Sequence, residues 1–286
     1  MIEFKSARTK PYSIVLAVSR LAMFTGWCVI GPLYFYLAKL LGYRQLETIP
    51  MQFHRGCCRI LPLTTSMEGE PTNHRATLYI SNHVSYLDIF VLGSLVPGCF
   101  IAKSEVAGWP VLGRMARIQN TLFFERKSRH AHSQIEVMAK QLSSKGNLIL
   151  FPEGTSTDGT YVEPFKSSLF HAAEIAEEVL IQPITIAYLT HRGQPMEKSI
   201  RDYFAWYAEM PFASHFFKMA GMPAVQTKLI FHTPVKLSDF ESRKACADYC
   251  QRKVSSALSQ ALSNMPAAGA TTGSLATTQT EQNPTN

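Results

Sequence analysis

Residues 76–88, ATLYISNHVSYLD, carry the pattern that decides the fold. Their first five residues are mostly apolar and typical of a strand, and a second apolar run begins directly after Asp88. This pattern predicts a buried strand, a short loop that holds His83, and the start of a helix. Asp88 can hydrogen-bond one imidazole nitrogen and leave the other free to accept a proton. The structural alternative is that Asn82 or Ser85 caps the helix and His83 is a hydrogen-bonded structural histidine.

The sequence on both sides of this stretch predicts alternating strands and helices. Short apolar runs bounded by glycine, proline or polar turns indicate strands, and longer amphipathic runs indicate helices. A strand, a helix and a strand in that order form a unit of parallel sheet. We therefore expect an α/β fold with a mixed, largely parallel sheet flanked by helices. The predicted strands are 61–67, 76–80, 99–103, 122–124, 147–151, 181–187 and 228–232, and the predicted helices are 128–144, 169–179 and 240–262.

The composition points to an anionic partner and away from metals and nucleic acids. The 286 residues carry a formal charge of +7, which suits a phospholipid surface or a phosphorylated substrate. A nucleic-acid-binding protein would place this charge in a stripe with stacking aromatic residues, and its apolar amino terminus would be unexplained. The six cysteines contain no pair of Cys-x-x-Cys units, so we expect reduced thiols and no metal.

Residues 13–41 are almost wholly apolar, with interruptions at Arg20 and at Pro32. The run is long for a cleaved signal peptide and lacks a small-residue cleavage site, and a buried core helix would need a wider polar face. It fits either one tilted membrane-spanning helix or two helices that break near Pro32 and enter one leaflet. We favour the second, because a single span with its basic end inside would place the remaining chain outside the cytosol.

The chain therefore divides into three parts. Residues 1–45 form the membrane-anchoring helical segment, and residues 46–264 form the folded domain. The tail, 265–286, consists of Ala, Thr, Gly, Gln, Asn and similar residues with one charge, and we expect it to be disordered.

Several predicted strands end beside residues that suit an anionic ligand. Lys103 ends one strand, and Arg126 follows another. The strand at 147–151 is followed by Glu153 and Gly154, and a glycine lets a ligand approach the backbone closely. Ligands of open α/β sheets bind at the carboxyl ends of the strands, so we expect these residues to line one site.

Four motifs in order give the chain a family resemblance. They are NHVSYLD at 82–88, FFER at 123–126, FPEGT at 151–155 and QPITI at 182–186. Together they resemble the glycerolipid acyltransferase family, which includes the 1-acylglycerol-3-phosphate acyltransferases. The resemblance covers roughly residues 61–235.

The resemblance implies roles for the motif residues. His83 is the general base and Asp88 orients it. Arg126, Glu153, Gly154 and Thr155 belong to the acceptor site, to which we add Lys103 as a cation. Backbone N–H groups at the helix after His83 are the expected donors to the developing oxyanion.

The expected reaction is O-acyl transfer at the cytoplasmic face of the inner (plasma) membrane. The donor is acyl-CoA or acyl-acyl carrier protein, the acceptor is a membrane lysolipid, and no cofactor is needed. We expect 1-acylglycerol-3-phosphate as acceptor, giving phosphatidic acid. The alternative is another lysolipid such as lyso-ornithine lipid, because Ser156 stands where many phosphatidate-forming members have arginine. A lipid or thioester hydrolase is a further alternative, but Ser85 lacks a nucleophile context.

Overall fold

The computed structural model describes residues 11–74, 76–109, 112–125 and 131–264. Within these ranges nine strands form one sheet. The strands are β1 (Leu63–Glu68), β2 (Thr77–Ser81), β3 (Cys99–Lys103), β4 (Leu122–Phe124), β5 (Leu148–Leu150), β6 (Leu180–His191), β7 (Gln194–Pro195), β8 (Val225–Phe231) and β9 (Val235–Lys236).

The main path of the sheet runs in the order β1-β8-β6-β2-β5-β3-β4. The five strands from β6 to β4 are parallel to one another. Strand β8 pairs with β6 in the antiparallel sense, and β1 is parallel to β8. The short strands β7 and β9 add antiparallel pairs to β6. The predicted mixed, largely parallel sheet is confirmed.

Helices cover both faces of this sheet. They are α1 (Ile14–Leu40), α2 (Ile49–Ile60), α3 (Leu87–Gly93), α4 (Leu112–Ile118), α5 (Ala131–Ser143), α6 (His171–Ala176), α7 (Lys198–Arg201), α8 (Phe212–Ala220) and α9 (Arg243–Ser263). The position of β2 between two cores explains why its three central residues are all apolar or aromatic. Tyr79 packs in the core that contains α1, α2, α3 and α8, whereas Leu78 and Ile80 pack against α5, α6 and α9. Successive side chains alternate between two buried faces.

The predicted elements agree with the structure except at some ends. Strands 99–103 and 122–124 have the predicted bounds. Helix α6 ends earlier than the predicted 169–179, because Glu177 and Glu178 adopt left-handed backbone conformations with φ of 50° and 43°. Residues 126–130, where the predicted helix 128–144 begins, and the tail 265–286 lie outside the described residues.

The expected break of the amino-terminal segment near Pro32 is wrong. Helix α1 continues through Pro32 as one helix of 27 residues. Gly31 serves packing, because a Cβ atom there would lie 2.8 Å from the Phe53 ring of α2. Arg20 has a local role too: its guanidinium donates to Ala220 O and Met222 O at the end of α8, at 2.9 and 2.6 Å.

Helix α1 packs on the domain along its whole length and leaves its other sides apolar and exposed. The buried residues Ala17, Phe24, Gly31 and Ala38 recur every seven positions and form one narrow stripe. Outside this stripe, large apolar side chains face outward, including Val15, Leu33 and Leu40 at 80%, 64% and 83% exposure. The helix is long and apolar enough to cross a membrane, with a length of about 40 Å.

Candidate active site

Predicted site residues follow neighbouring parallel strands at one edge of the sheet. Moving outward from β2, the next strands are β5, β3 and β4. His83 follows β2, Glu153 and Gly154 follow β5, and Lys103 is the last residue of β3. Strand β4 ends two residues before Arg126, which lies outside the described residues. The sheet thus brings these chain segments together at its carboxyl edge, where α/β proteins bind ligands.

The His83 loop, residues 82–88, is built around the Asp88 carboxylate. Asp88 is fully buried, and its Oδ2 atom accepts hydrogen bonds from His83 Nδ1 at 2.8 Å and from the backbone N–H groups of Val84 and Ser85 at 2.7 and 2.9 Å. A carboxylate only accepts, so His83 carries its proton on Nδ1 and presents the Nε2 lone pair. The side chain of His83 remains 22% exposed.

Tyr188 completes the hydrogen bonding of Asp88, and sequence reasoning missed it. Its hydroxyl donates to Asp88 Oδ1 at 2.8 Å from strand β6. Burial, followed by the charge of Asp88, raises the pKa of Tyr188 well above its usual value, so the phenol remains a donor. Asn82, which follows β2, links that strand to β6. Its side-chain nitrogen donates to Ile186 O at 2.9 Å, and its side-chain oxygen accepts from Ile186 N–H at 2.8 Å.

Glu153 holds the backbone of His83. Its carboxylate accepts from His83 N–H at 2.6 Å and from Glu163 N–H at 2.7 Å, and the residue is only 3% exposed. Burial raises the pKa of Glu153 to about 8, and the two backbone donors oppose that shift. Thr157 N–H donates to His83 O at 2.9 Å. The expectation that Glu153 contacts the acceptor does not match this geometry, since both of its oxygens are bonded to backbone.

A second set of contacts joins the His83 loop to the aromatic segment before α8. Trp206 N–H donates to Val84 O at 2.9 Å, and Ser156 Oγ donates to Trp206 O at 2.7 Å. Tyr86 donates its hydroxyl to His215 Nδ1 at 3.0 Å. The loop is therefore fixed from β6, from the segment after β5 and from α8.

The remaining predicted residues lie on the open side of the site. Gly154, Thr155 and Lys103 are exposed. Lys103 is two strands from β2, which corresponds to about 10 Å. The ring of Phe151 stacks on the imidazole of His83, with centroids 4.1 Å apart and planes 17° apart, and forms one wall.

Two features of the His83 loop bear on the oxyanion donors and on the hydrolase alternative. The N–H groups of Val84 and Ser85 are bonded to Asp88, so they are not available as oxyanion donors. Ser85 is fully buried, and its hydroxyl has no hydrogen-bond partner in the part of the chain that the structure describes. It is therefore not activated by His83, and the hydrolase alternative lacks a nucleophile at this position.

The comparisons with known proteins identify the family. A family model described as acyltransferase matches residues 64–187. A lyso-ornithine lipid O-acyltransferase of Rhodobacter capsulatus is 36% identical over 210 residues, which cover 72% of this chain and 74% of that protein. The chain belongs to the acyltransferase family. The resemblance carried by the four sequence motifs is thereby confirmed.

Relatives of this acyltransferase have two different acceptors in their names. A 1-acyl-sn-glycerol-3-phosphate acyltransferase of Neisseria gonorrhoeae is 28% identical over 64% of this chain and 70% of that protein. The crystal structure of a 1-acyl-sn-glycerophosphate acyltransferase from Thermotoga maritima has the same fold, with a TM-score of 0.65 and 20% identity over 86% of this chain and 94% of that one. The higher identity to the lyso-ornithine enzyme supports the alternative acceptor better than the expected phosphate acceptor.

The His83–Asp88 pair makes the first prediction. We expect His83→Ala to lower kcat for acyl transfer by about 100- to 10,000-fold, the usual range for a lost general base. Asp88→Asn should cause a smaller loss, still of several kcal/mol at roughly the scale of orienting carboxylates in triads. Steady-state kinetics measures both losses on purified variants in detergent–lipid micelles, once circular dichroism shows that their fold is unchanged. Normal turnover of His83→Ala would refute the assignment.

Glu153 makes the second prediction. Glu153→Gln offers one carbonyl oxygen to two backbone donors, so the His83 loop should shift. We expect kcat to fall by about 100-fold, as small misplacements of reacting groups do, with little change in the acceptor KM. The comparison variant is Thr155→Ala, which removes an exposed side chain from the same segment and leaves His83 in place. An increase in the acceptor KM at constant kcat would show that Glu153 binds the acceptor instead.

Proposed function

We propose that this acyltransferase moves an acyl group from acyl-CoA or acyl-acyl carrier protein to the hydroxyl of a lyso-ornithine lipid. The observation that carries the choice of acceptor is the contact of Ser156. The Ser156 hydroxyl donates to Trp206 O, and the backbone N–H of Trp206 donates to Val84 O. Where phosphate-acylating relatives place an arginine, this chain therefore has an uncharged residue that helps to hold the His83 loop. The similarity to the Rhodobacter capsulatus enzyme supports the same acceptor.

The reaction follows from the protonation state of His83. Its Nε2 atom takes the proton from the acceptor hydroxyl while the hydroxyl oxygen attacks the thioester carbonyl. The tetrahedral intermediate collapses, the carbon–sulfur bond breaks, and the imidazolium gives the proton to the departing thiolate. Asp88 stabilises the imidazolium through Nδ1, and Tyr188 keeps the carboxylate in place. The thioester is already activated, so the protein needs no covalent intermediate, cofactor or metal for this route.

The phosphate acceptor is the second candidate. Lys103 is exposed at the end of β3, where its ammonium is a candidate contact for a phosphate. The sequence motif adds Arg126 as a second candidate, which lies outside the described residues. These two cations keep 1-acylglycerol-3-phosphate in the set of acceptors that an experiment must include.

Helix α1 supports a location on the membrane surface. The folded domain contacts the stripe from Ala17 to Ala38, so the helix and the domain lie side by side along most of the helix. A perpendicular span would draw the part of the domain that packs along α1 into the hydrocarbon core, where its loops could not satisfy their backbone polar groups. We infer that α1 lies in the interface with its exposed apolar side in one leaflet. Acyl thioester donors are made in the cytosol, so we place the enzyme on the cytoplasmic face of the inner membrane.

The membrane arrangement gives the third prediction. Topology reporters fused to the amino and carboxyl termini should report from the same, cytoplasmic side, because the helix enters one leaflet and does not cross. Activity of each fusion shows that the reporter has not disturbed the fold. Reporters on opposite sides of the membrane would contradict the interfacial arrangement.

The acceptor gives the fourth prediction. Wild-type enzyme should have a higher kcat/KM for lyso-ornithine lipid than for lysophosphatidic acid. Ser156→Arg breaks the contact with Trp206 and adds a second cation close to a head group that already carries its own ammonium, so kcat/KM for lyso-ornithine lipid should fall by about tenfold or more. Ser156→Ala is the matched control, because it removes the hydrogen bond without adding charge and should cost about fivefold.

Two results would contradict this assignment. A higher kcat/KM of the wild type for lysophosphatidic acid would make that phosphate, rather than lyso-ornithine lipid, the preferred acceptor. Equal effects of Ser156→Arg and Ser156→Ala on both acceptors would show that the head group does not come near position 156.

A further inference from the structure

The Lys166 side chain lies against the backbone of Gly154 at the carboxyl end of β5. A Cβ atom added at Gly154 would collide with Lys166 Nζ. The backbone holds the lysine in this place, because Lys166 N–H donates to Pro152 O at 3.0 Å. Gly154 has a left-handed backbone with φ of 69°, so its conformation and the close approach of the ammonium both require glycine.

This ammonium has no countercharge in the part of the chain that the structure describes. None of the ion pairs among those residues includes Lys166. The residue is exposed, whereas the neighbouring carboxylate of Glu153 is buried and bonded to backbone N–H groups. The positive charge therefore faces the open side of the site.

Two backbone donors lie next to the ammonium. Within the described ranges, the N–H groups of Thr155 and Ser156 donate to no acceptor, whereas those of Gly154 and Thr157 are bonded to Phe151 O and His83 O. A lysine beside free backbone N–H groups after a left-handed glycine is an arrangement that binds anions. The same segment contacts His83, because Thr157 N–H donates to His83 O and the ring of Phe151 stacks on the imidazole.

We propose that Lys166 binds the anionic group of the acceptor head group and supplies the positive charge that Ser156 does not. The inference rests on the proposed function in that it assumes a lipid acceptor. Ornithine carries a carboxylate and an ammonium at neutral pH, so for a lyso-ornithine lipid the bound group is the carboxylate. For lysophosphatidic acid it is the phosphate. Lys166 is then a residue that determines acceptor affinity and takes no part in proton transfer.

The test separates acceptor binding from donor binding and from chemistry. Lys166→Met should raise the acceptor KM by about tenfold or more, with kcat changed by less than about threefold and the KM for acyl-CoA unchanged. Lys166→Arg keeps the charge and should restore the acceptor KM. Lys244→Met removes an exposed lysine from α9 and is the matched control, with kinetics like the wild type. All four proteins are assayed full-length in detergent–lipid micelles with lyso-ornithine lipid and with lysophosphatidic acid.

The outcomes distinguish this inference from the proposed function. If the wild type acylates only lysophosphatidic acid, the proposed acceptor is wrong, and an increased KM for that phosphate in Lys166→Met still supports the inference. An unchanged acceptor KM in Lys166→Met overturns the inference whichever acceptor is used. An increase in the KM for acyl-CoA alone also overturns it, because the lysine would then bind the donor.

Discussion

The hydrogen bond between His83 Nδ1 and Asp88 Oδ2 is the interaction on which the rest of the site depends. A fully buried carboxylate is costly unless donors surround it. Asp88 meets that requirement with His83, two backbone N–H groups of its own loop and the Tyr188 hydroxyl. Tyr188 comes from β6, so the carboxylate is satisfied only when β2 and β6 pair in register. The fold and the orientation of the histidine are thus coupled through one charged group.

The same loop is also connected to helix α1. Arg20 of α1 is bonded to the carbonyl groups at the end of α8, and α8 accepts a hydrogen bond from Tyr86 through His215. Helix α8 therefore contacts both the helix that we place in the lipid interface and the loop that carries His83. If α1 lies in the interface as we propose, these contacts hold the site at a fixed position relative to the membrane surface.

The sequence was sufficient for what depends on neighbouring residues. Apolar runs and turn residues predict β3 and β4 with their bounds, and the five-residue spacing predicts the contact of His83 with Asp88. Contacts between distant segments were missed, such as Tyr188 on Asp88 and Glu153 on the backbone of His83, because residue type alone does not show which strand ends meet. The break predicted near Pro32 was wrong because a proline predicts a helix break from sequence, whereas here α1 continues through it and the neighbouring Gly31 lies against Phe53 of α2. A lone tyrosine in the apolar run of β6 was the available signal for a buried hydrogen bond.

The central claim is that the acyl group passes directly from the thioester to a lipid hydroxyl, with His83 as base and no protein nucleophile. The most direct measurement is the intact mass of the enzyme after incubation with acyl-CoA alone, followed by addition of the lysolipid acceptor. The account predicts an unmodified mass without acceptor and acylated lipid once the acceptor is added. An acylated protein that forms with donor alone and transfers its acyl group to the lipid would contradict it.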